Sequence, residues 1–270
     1  MSNFATTDGV DLYYEESGDG RPLILLGGWT MSTEWWRRQV PDLSQEMRTI
    51  AMDMRSYGRS EKTRRGHRLS RYAADLRELI LHLDLQDVVV CGWSMGASTI
   101  WSYVDLFGTD KLAGAIFVDQ TPKILTDETW KTGLGPDFTL SALDGFLGNI
   151  ESDPEAFFQG FIPSMFVTPP PEDEQSWMLD AVRKMPTEDA VEVLQDHCCQ
   201  DWRDVLGKVD IPALVITGGQ SSLFPPESGV YQATEMPSAS HEIFESSSHA
   251  PFYEEPKRFN DSVRNFVGAL

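Results

Sequence analysis

The chain is poor in several features that would place it in familiar classes. It has 3 cysteines in 270 residues, too few for a disulfide framework and an odd number that cannot all pair internally. Cys91 sits in an apolar run and reads as a small buried hydrophobe. Cys198 and Cys199 adjoin His197, but nothing near them in the sequence has ligand spacing, so no metal site and no cofactor is expected. No apolar stretch reaches the roughly 18 residues a membrane span requires. The start, Met1-Ser-Asn-Phe-Ala, lacks the basic and apolar segments of a secretory signal. A soluble, cytoplasmic chain with no membrane contact is the expectation. Positive charge is also scarce, with 22 Lys and Arg against 42 Asp and Glu, a net charge of −20 and a pI near 4.5. Such a chain repels phosphate backbones and anionic bilayers. Its densest basic stretch, residues 62–71, contains Gly66 and reads as a solvated loop, so nucleic acid is not an expected partner.

What is present is ordinary globular material, 41% hydrophobic and 24% charged. A chain of this mass buries about 73% of its extended surface, enough for a large core without staples. Short apolar runs at Leu23–Leu26, Thr49–Met52, Val88–Cys91 and Ala113–Val118 are bounded by turn residues, and Val10–Tyr14 follows an Asp8-Gly9 turn. Runs of this length suit strands buried on both faces of a parallel sheet. Between them, helical spacing marks Thr33–Leu43, Tyr72–Leu83 with Ser70 as a candidate cap, and Met95–Phe107. The alternation predicts an α/β fold, a mostly parallel sheet flanked by helices.

After Val118 the rhythm stops. Residues 121–203 carry eight prolines and helical patches at Pro154–Phe161, Glu174–Arg183 and Thr187–Cys198, with no convincing strand. Strand character returns at Ala213–Thr217 and Glu242–Phe244, and a last helix spans Pro256–Val267. The expected organisation is a core of residues 1–120 and 204–270, with 121–203 inserted as a helical cap. The insertion holds 16 acidic and 5 basic residues and nine Phe or Trp rings. Most of those rings serve as core, and some line a pocket beneath the cap.

The most specific signal is Gly92-Trp93-Ser94-Met95-Gly96, which joins an apolar run directly to a helical stretch. A strand turning straight into a helix is crowded, and small residues at 92 and 96 let it fold so that Ser94 projects above the sheet edge. Ser94 could merely cap the helix, but other residues fall where a serine nucleophile needs them. Of five histidines, His249 lies in Ser246-Ser-Ser-His249-Ala-Pro, between the last strand and the last helix, at the carboxyl edge that also carries Ser94. A histidine there can take the serine proton. A tetrahedral intermediate needs two donors. The amide of Met95, at a helix start, and that of Trp29, in Gly27-Gly28-Trp29 after an early strand, are the candidates.

These motifs, with Asp53-Met-Arg-Ser-Tyr-Gly-Arg-Ser60 and Ser248-His249-Ala250-Pro251, resemble the α/β-hydrolase superfamily over nearly the full length. The likeness is greatest to its small capped esterase, lactonase and cofactor-free haloperoxidase-like members. Two positions depart from the pattern. Gly27 replaces the usual histidine before the oxyanion glycine. Ser221, in Gly218-Gly219-Gln220-Ser221, falls where the family's acid is expected. Asp119, directly after Ala113–Val118, resembles the acid of zearalenone-lactone-hydrolase-type members, which place it after this strand. The resemblance therefore implies a Ser94–His249–Asp119 triad, with Glu227 and Asp204 as weaker alternatives and Asp53 and Arg55 bracing loops. It implies a serine hydrolase acting on a neutral, largely apolar small-molecule ester or lactone. Peracid formation, carbon–carbon bond hydrolysis and a non-catalytic receptor are the rivals, and a homodimer is left open.

Overall fold

The computed structural model describes residues 2–270. Eight strands form one sheet in the order β1-β2-β4-β3-β5-β6-β7-β8. They are β1 (Ser2–Ala5), β2 (Asp11–Ser17), β3 (Pro22–Leu26), β4 (Arg48–Met52), β5 (Val88–Trp93), β6 (Leu112–Val118), β7 (Ala213–Gly218) and β8 (Ala239–Phe244). The pairs β1–β2 and β2–β4 are antiparallel, and all others are parallel. Every residue of β5 and β7 is buried, as helices on both faces require of a parallel sheet.

Register positions the site. Leu26 pairs with Gly92, Trp93 with Val118, Val118 with Ile216, and Gly218 with Phe244. The carboxyl ends of β3, β5, β6, β7 and β8 therefore lie side by side. The segments leaving them, with Trp29, Ser94, Asp119, Ser221 and His249, emerge at one edge.

The helices are α1 (Val40–Leu43), α2 (Leu69–His82), α3 (Met95–Phe107), α4 (Leu140–Ser152), α5 (Pro154–Ser164), α6 (Glu172–Val182), α7 (Thr187–Cys198), α8 (Glu227–Glu235), α9 (Pro251–Glu254) and α10 (Pro256–Gly268). Helix α2 buries Tyr72, Leu76 and Leu79, and α10 buries Phe259, Val263 and Val267, the one-sided pattern of helices laid on a sheet. Helices α4–α7 all fall between β6 and β7. The chain leaves and rejoins the sheet through a narrow neck, where Lys123 bridges Asp201 and the Trp202 amide donates to the Pro122 carbonyl at 2.9 Å. Among the described residues no helix is long and apolar enough to cross a membrane.

Several elements differ from the sequence expectation. Thr33–Leu43 is not one helix but a 3₁₀ turn at Thr33–Trp36 followed by α1. Pro41 lacks an N–H and its ring would crowd the carbonyl four residues back, so it disfavours a helix running through from Thr33 and sits instead in the first turn of α1. Ser70 does not cap α2, which begins one residue earlier, at Leu69. The Leu69 amide instead donates to Asp196 of α7 at 2.8 Å, so a distant helix satisfies an orphan N-terminal donor. Strand β1 and helix α4 carry no expectation from the sequence.

Candidate active site

Ser94 follows β5 and precedes α3, with φ 52° and ψ −122°. A positive φ is costly for a non-glycine residue, on the order of 1–3 kcal/mol, and persists only where its surroundings impose it. Here the imposition is steric. A Cβ on Gly92 would lie 2.4 Å from the Gly96 backbone, and one on Gly96 would lie 2.6 Å from the Leu26 carbonyl oxygen. The strand, the helix and the Gly27-Gly28-Trp29 loop thus meet with no room for side chains. Gly28 lies close enough that an added Cβ would sit 3.2 Å from the Ser94 Cβ. Met95 is the first residue of α3, so its amide is one of that helix's unpaired donors.

One strand over, Asp119 directly follows β6 and also has a positive φ, 43°. Its amide donates to the Ile216 carbonyl at 2.7 Å, continuing the ladder one step before the chain turns. The carboxylate is buried and well supplied with donors. Oδ1 accepts from the Gly218 amide at 2.9 Å, while Oδ2 accepts from the Ser221 hydroxyl at 2.6 Å and meets His249 Nδ1 at 2.7 Å. With Nδ1–H facing a carboxylate, Nε2 is left free to accept a proton.

His249 itself is buried, and both its ring and its backbone are held. Its ring lies 5.3 Å from the Trp93 ring and 5.7 Å from that of Phe224. Its carbonyl accepts the Trp93 indole N–H at 2.7 Å, and its amide donates to the Met165 carbonyl at 3.0 Å. Glu254 braces the same loop, accepting from the Ser248 amide at 2.7 Å and from Val167 at 2.8 Å. Burial raises the Glu254 carboxyl above its ordinary pKa. Sequence reasoning passed over Trp93 and Glu254. Their signal is positional, since Trp93 is the variable residue of the elbow and Glu254 follows five residues after the histidine.

Two hollows meet at Ser94. The larger, about 250 Å³, is lined by Trp29, Phe138, Phe146, Phe161, Leu194, Phe224 and other largely apolar residues, with His197 and Cys198 at its wall. The smaller, about 20 Å³, lies among Gly28, Trp29, Trp93, Ser94 and His249. A space of that size holds about one water molecule. Trp29 borders both hollows. Its indole N–H donates to the Ala190 carbonyl of α7 at 2.8 Å, and its ring stacks on Phe158 of α5 at 5.3 Å. The Gly27-Gly28-Trp29 loop is thereby tied to α5 and α7.

The remaining candidates serve the scaffold or stand apart. Asp53 accepts from the Thr33 amide at 2.6 Å and the Arg59 amide at 2.7 Å. Arg55, fully buried, forms a two-pronged ion pair with Asp75 at 2.7 and 2.8 Å. These two residues brace loops, as the sequence suggests. Glu227 opens α8, while the carboxylate on the His249 ring is Asp119. His67 is buried against the Thr63 carbonyl, and His82 stacks on Phe4. His197 is buried and desolvation lowers its pKa to about 3, so it stays neutral. Among the described residues no group of three His, Cys, Asp or Glu could hold a metal ion.

A sheet of this topology with a serine on a strand-to-helix elbow and a buried His–Asp pair beside it defines an α/β hydrolase. The chain matches the alpha/beta hydrolase fold family over residues 21–256 and belongs to it. It is similar to a non-heme chloroperoxidase of Kitasatospora aureofaciens, 29% identical over 97% of this chain and 98% of that protein. It is also similar to a pimeloyl-[acyl-carrier protein] methyl ester esterase of Vibrio campbellii, 27% identical over 96% and 99% of the two chains. Among solved structures, an esterase from Exiguobacterium antarcticum superposes with a TM-score of 0.93 at 23% identity, covering 99% of each chain. A bromoperoxidase from Bacillus anthracis does so with a TM-score of 0.92 at 25% identity, covering 99% of this chain and all of that one. The curated relatives are enzymes, one named a chloroperoxidase and one an ester-cleaving esterase, and the solved structures share the fold.

Proposed function

We propose that the protein is a serine hydrolase that cleaves a neutral, largely apolar carboxylic ester or lactone through an acyl-enzyme, with Ser94 as nucleophile, His249 as base and Asp119 as the acid. The observation that carries this reading is the 2.7 Å contact between Asp119 and His249 Nδ1, with His249 sharing a one-water hollow with the strained Ser94. Ser94 Oγ attacks the carbonyl carbon and its proton passes to His249 Nε2. Negative charge gathers on the carbonyl oxygen beside the amides of Met95 and Trp29. The tetrahedral species collapses as the carbon–alkoxy bond breaks, and His249 returns the proton to the leaving oxygen. Water, deprotonated by the same nitrogen, then frees the acid and restores Ser94. Asp119 holds the ring in one tautomer and offsets the imidazolium charge.

The aromatic cavity favours an apolar substrate, because almost nothing in its wall replaces the hydration of a charge. We take residues 121–203 as the lid and the rest as the catalytic core; the neck between Lys123 and Asp201 supports that division. The haloperoxidase relatives favour a second outcome at the same acyl-enzyme, in which hydrogen peroxide replaces water and the product is a peracid.

The test is a panel of p-nitrophenyl esters together with pH-stat assays of lactones, on the wild type and Ser94→Ala. The reading predicts turnover of short and medium neutral esters that falls by at least about 10³-fold in the variant. Ester turnover undiminished in Ser94→Ala contradicts it.

A further inference from the structure

The family's usual acid position is occupied here by Ser221, whose hydroxyl lies between two backbone amides and the Asp119 carboxylate. The turn that follows β7 aims the amides of Phe224 and Leu223 at the Ser221 Oγ, with long hydrogen bonds of 3.3 and 3.4 Å. With those amides donating into the oxygen, the hydroxyl proton is directed outward, and Ser221 Oγ–H donates to Asp119 Oδ2, 2.6 Å away oxygen to oxygen. That oxygen is the one that faces His249 Nδ1 at 2.7 Å. Residues 119, 221 and 249 therefore share a single oxygen as their meeting point. The other carboxylate oxygen is pinned by the Gly218 amide at 2.9 Å, from the end of the same strand.

We propose that Ser221 is a positioning residue for Asp119, and that its turn keeps a working seat for the acid, so that exchanging the two side chains leaves a functional triad. Resting on the hydrolase reading above, this inference names which group fixes the acid. A carboxylate needs its unused lone pairs occupied if it is to hold one orientation toward the imidazole. In the natural chain the donors come from residues 218 and 221. In the exchanged chain they would come from the amides of 223 and 224 and from a hydroxyl at 119. Two donors, the Ser221 hydroxyl and His249 Nδ1, meet at Asp119 Oδ2, while the amides of 223 and 224 point at the side-chain oxygen of residue 221, where an exchanged carboxylate would begin.

The experiment compares wild type with Ser221→Ala, Ser221→Thr, Asp119→Ser and the exchange Asp119→Ser/Ser221→Asp. The first readout is the rate at which a p-nitrophenyl alkylphosphonate labels Ser94, followed by nitrophenolate release and by mass on the Ser94 peptide. The second is kcat and KM on a p-nitrophenyl ester, and thermal melting checks that each variant is folded. Ser221→Ala is expected to slow labelling and kcat about tenfold with KM within about twofold, and Ser221→Thr to restore both. Asp119→Ser is expected to lose at least about 100-fold, and the exchange to recover at least about tenfold of that loss. Labelling in Ser221→Ala at the wild-type rate, or an exchange no faster than Asp119→Ser, overturns the inference. The exchange is judged against Asp119→Ser, so that comparison stands even if Ser221→Ala melts. Failure to label Ser94 in the wild type would instead strike the hydrolase reading, before any variant is measured.

Discussion

Ser94 and Asp119 directly follow adjacent strands, and both have positive φ, 52° and 43°. Serine rarely adopts that region, so the surrounding packing must hold Ser94 there, while aspartate tolerates it better. Gly92→Ala tests this most locally, because its Cβ would lie 2.4 Å from the Gly96 backbone. It is expected to lower stability by about 1–3 kcal/mol and to reduce ester turnover by more than the folded fraction alone explains. Urea unfolding and kcat on the same samples separate the two effects. The proposed triad also makes a non-additivity prediction. Ser94→Ala, His249→Ala and the double variant should have nearly the same residual kcat, since groups that act as a unit are lost together. Independent, multiplying losses would argue against a shared role. Much of this scale was legible from local sequence, because the elbow needs only neighbouring glycines, a strand and a helix. The Ser221–Asp119 hydrogen bond spans 102 residues. A sequence can show that the usual acid is missing, but not that the serine replacing it reaches back to another carboxylate.

At the scale of elements, the buried strands were readable because helices on both faces demand continuous apolar runs. Strand β1 was not, since it is a short edge strand with only Phe4 buried, and it exists through its pairing with β2. Helix α4 places Leu143, Leu147 and Ile150 at helical spacing, yet Gly145 and Gly148 lower its propensity; contacts with α5 and α7 hold it in place. Helix α7 carries a prediction of its own. His197 keeps a pKa of about 3 in the fold against an ordinary value near 6.5. Below pH 6.5 the unfolded chain takes up a proton that the native state refuses, so stability falls as pH drops toward 3. Between pH 7 and 5 this one group accounts for about 2 kcal/mol. Urea unfolding of wild type and His197→Gln at those two pH values should show the variant losing less stability by roughly that amount. Equal losses would mean that the ring is protonated in the native state.

For the molecule as a whole, the charge of −20 should act on which substrates arrive. A field of that sign slows the approach of anions, and salt screens it. The ratio of kcat/KM for a carboxylate-bearing ester to that for its neutral counterpart should rise severalfold between about 10 mM and 0.3 M sodium chloride, with the neutral ester nearly unchanged. A ratio independent of salt would locate the discrimination in the cavity wall alone. Sequence supplied the charge and the aromatic richness of the inserted helices. It could not say which rings face the cavity, because that depends on how α4, α5 and α7 pack over Trp29. The molecule thus combines a strongly negative surface with an apolar cavity, and Ser94, Asp119 and His249 lie at one edge of the sheet.

The central claim, a covalent acyl-serine at residue 94, is tested most directly by rapid acid quench of the wild type during turnover of a p-nitrophenyl ester, followed by mass spectrometry of the proteolysed chain. The account predicts a burst of nitrophenolate and an acyl mass increment on the peptide containing Ser94, absent in Ser94→Ala. Full turnover with no adduct and no burst, or an adduct on another side chain, would contradict it.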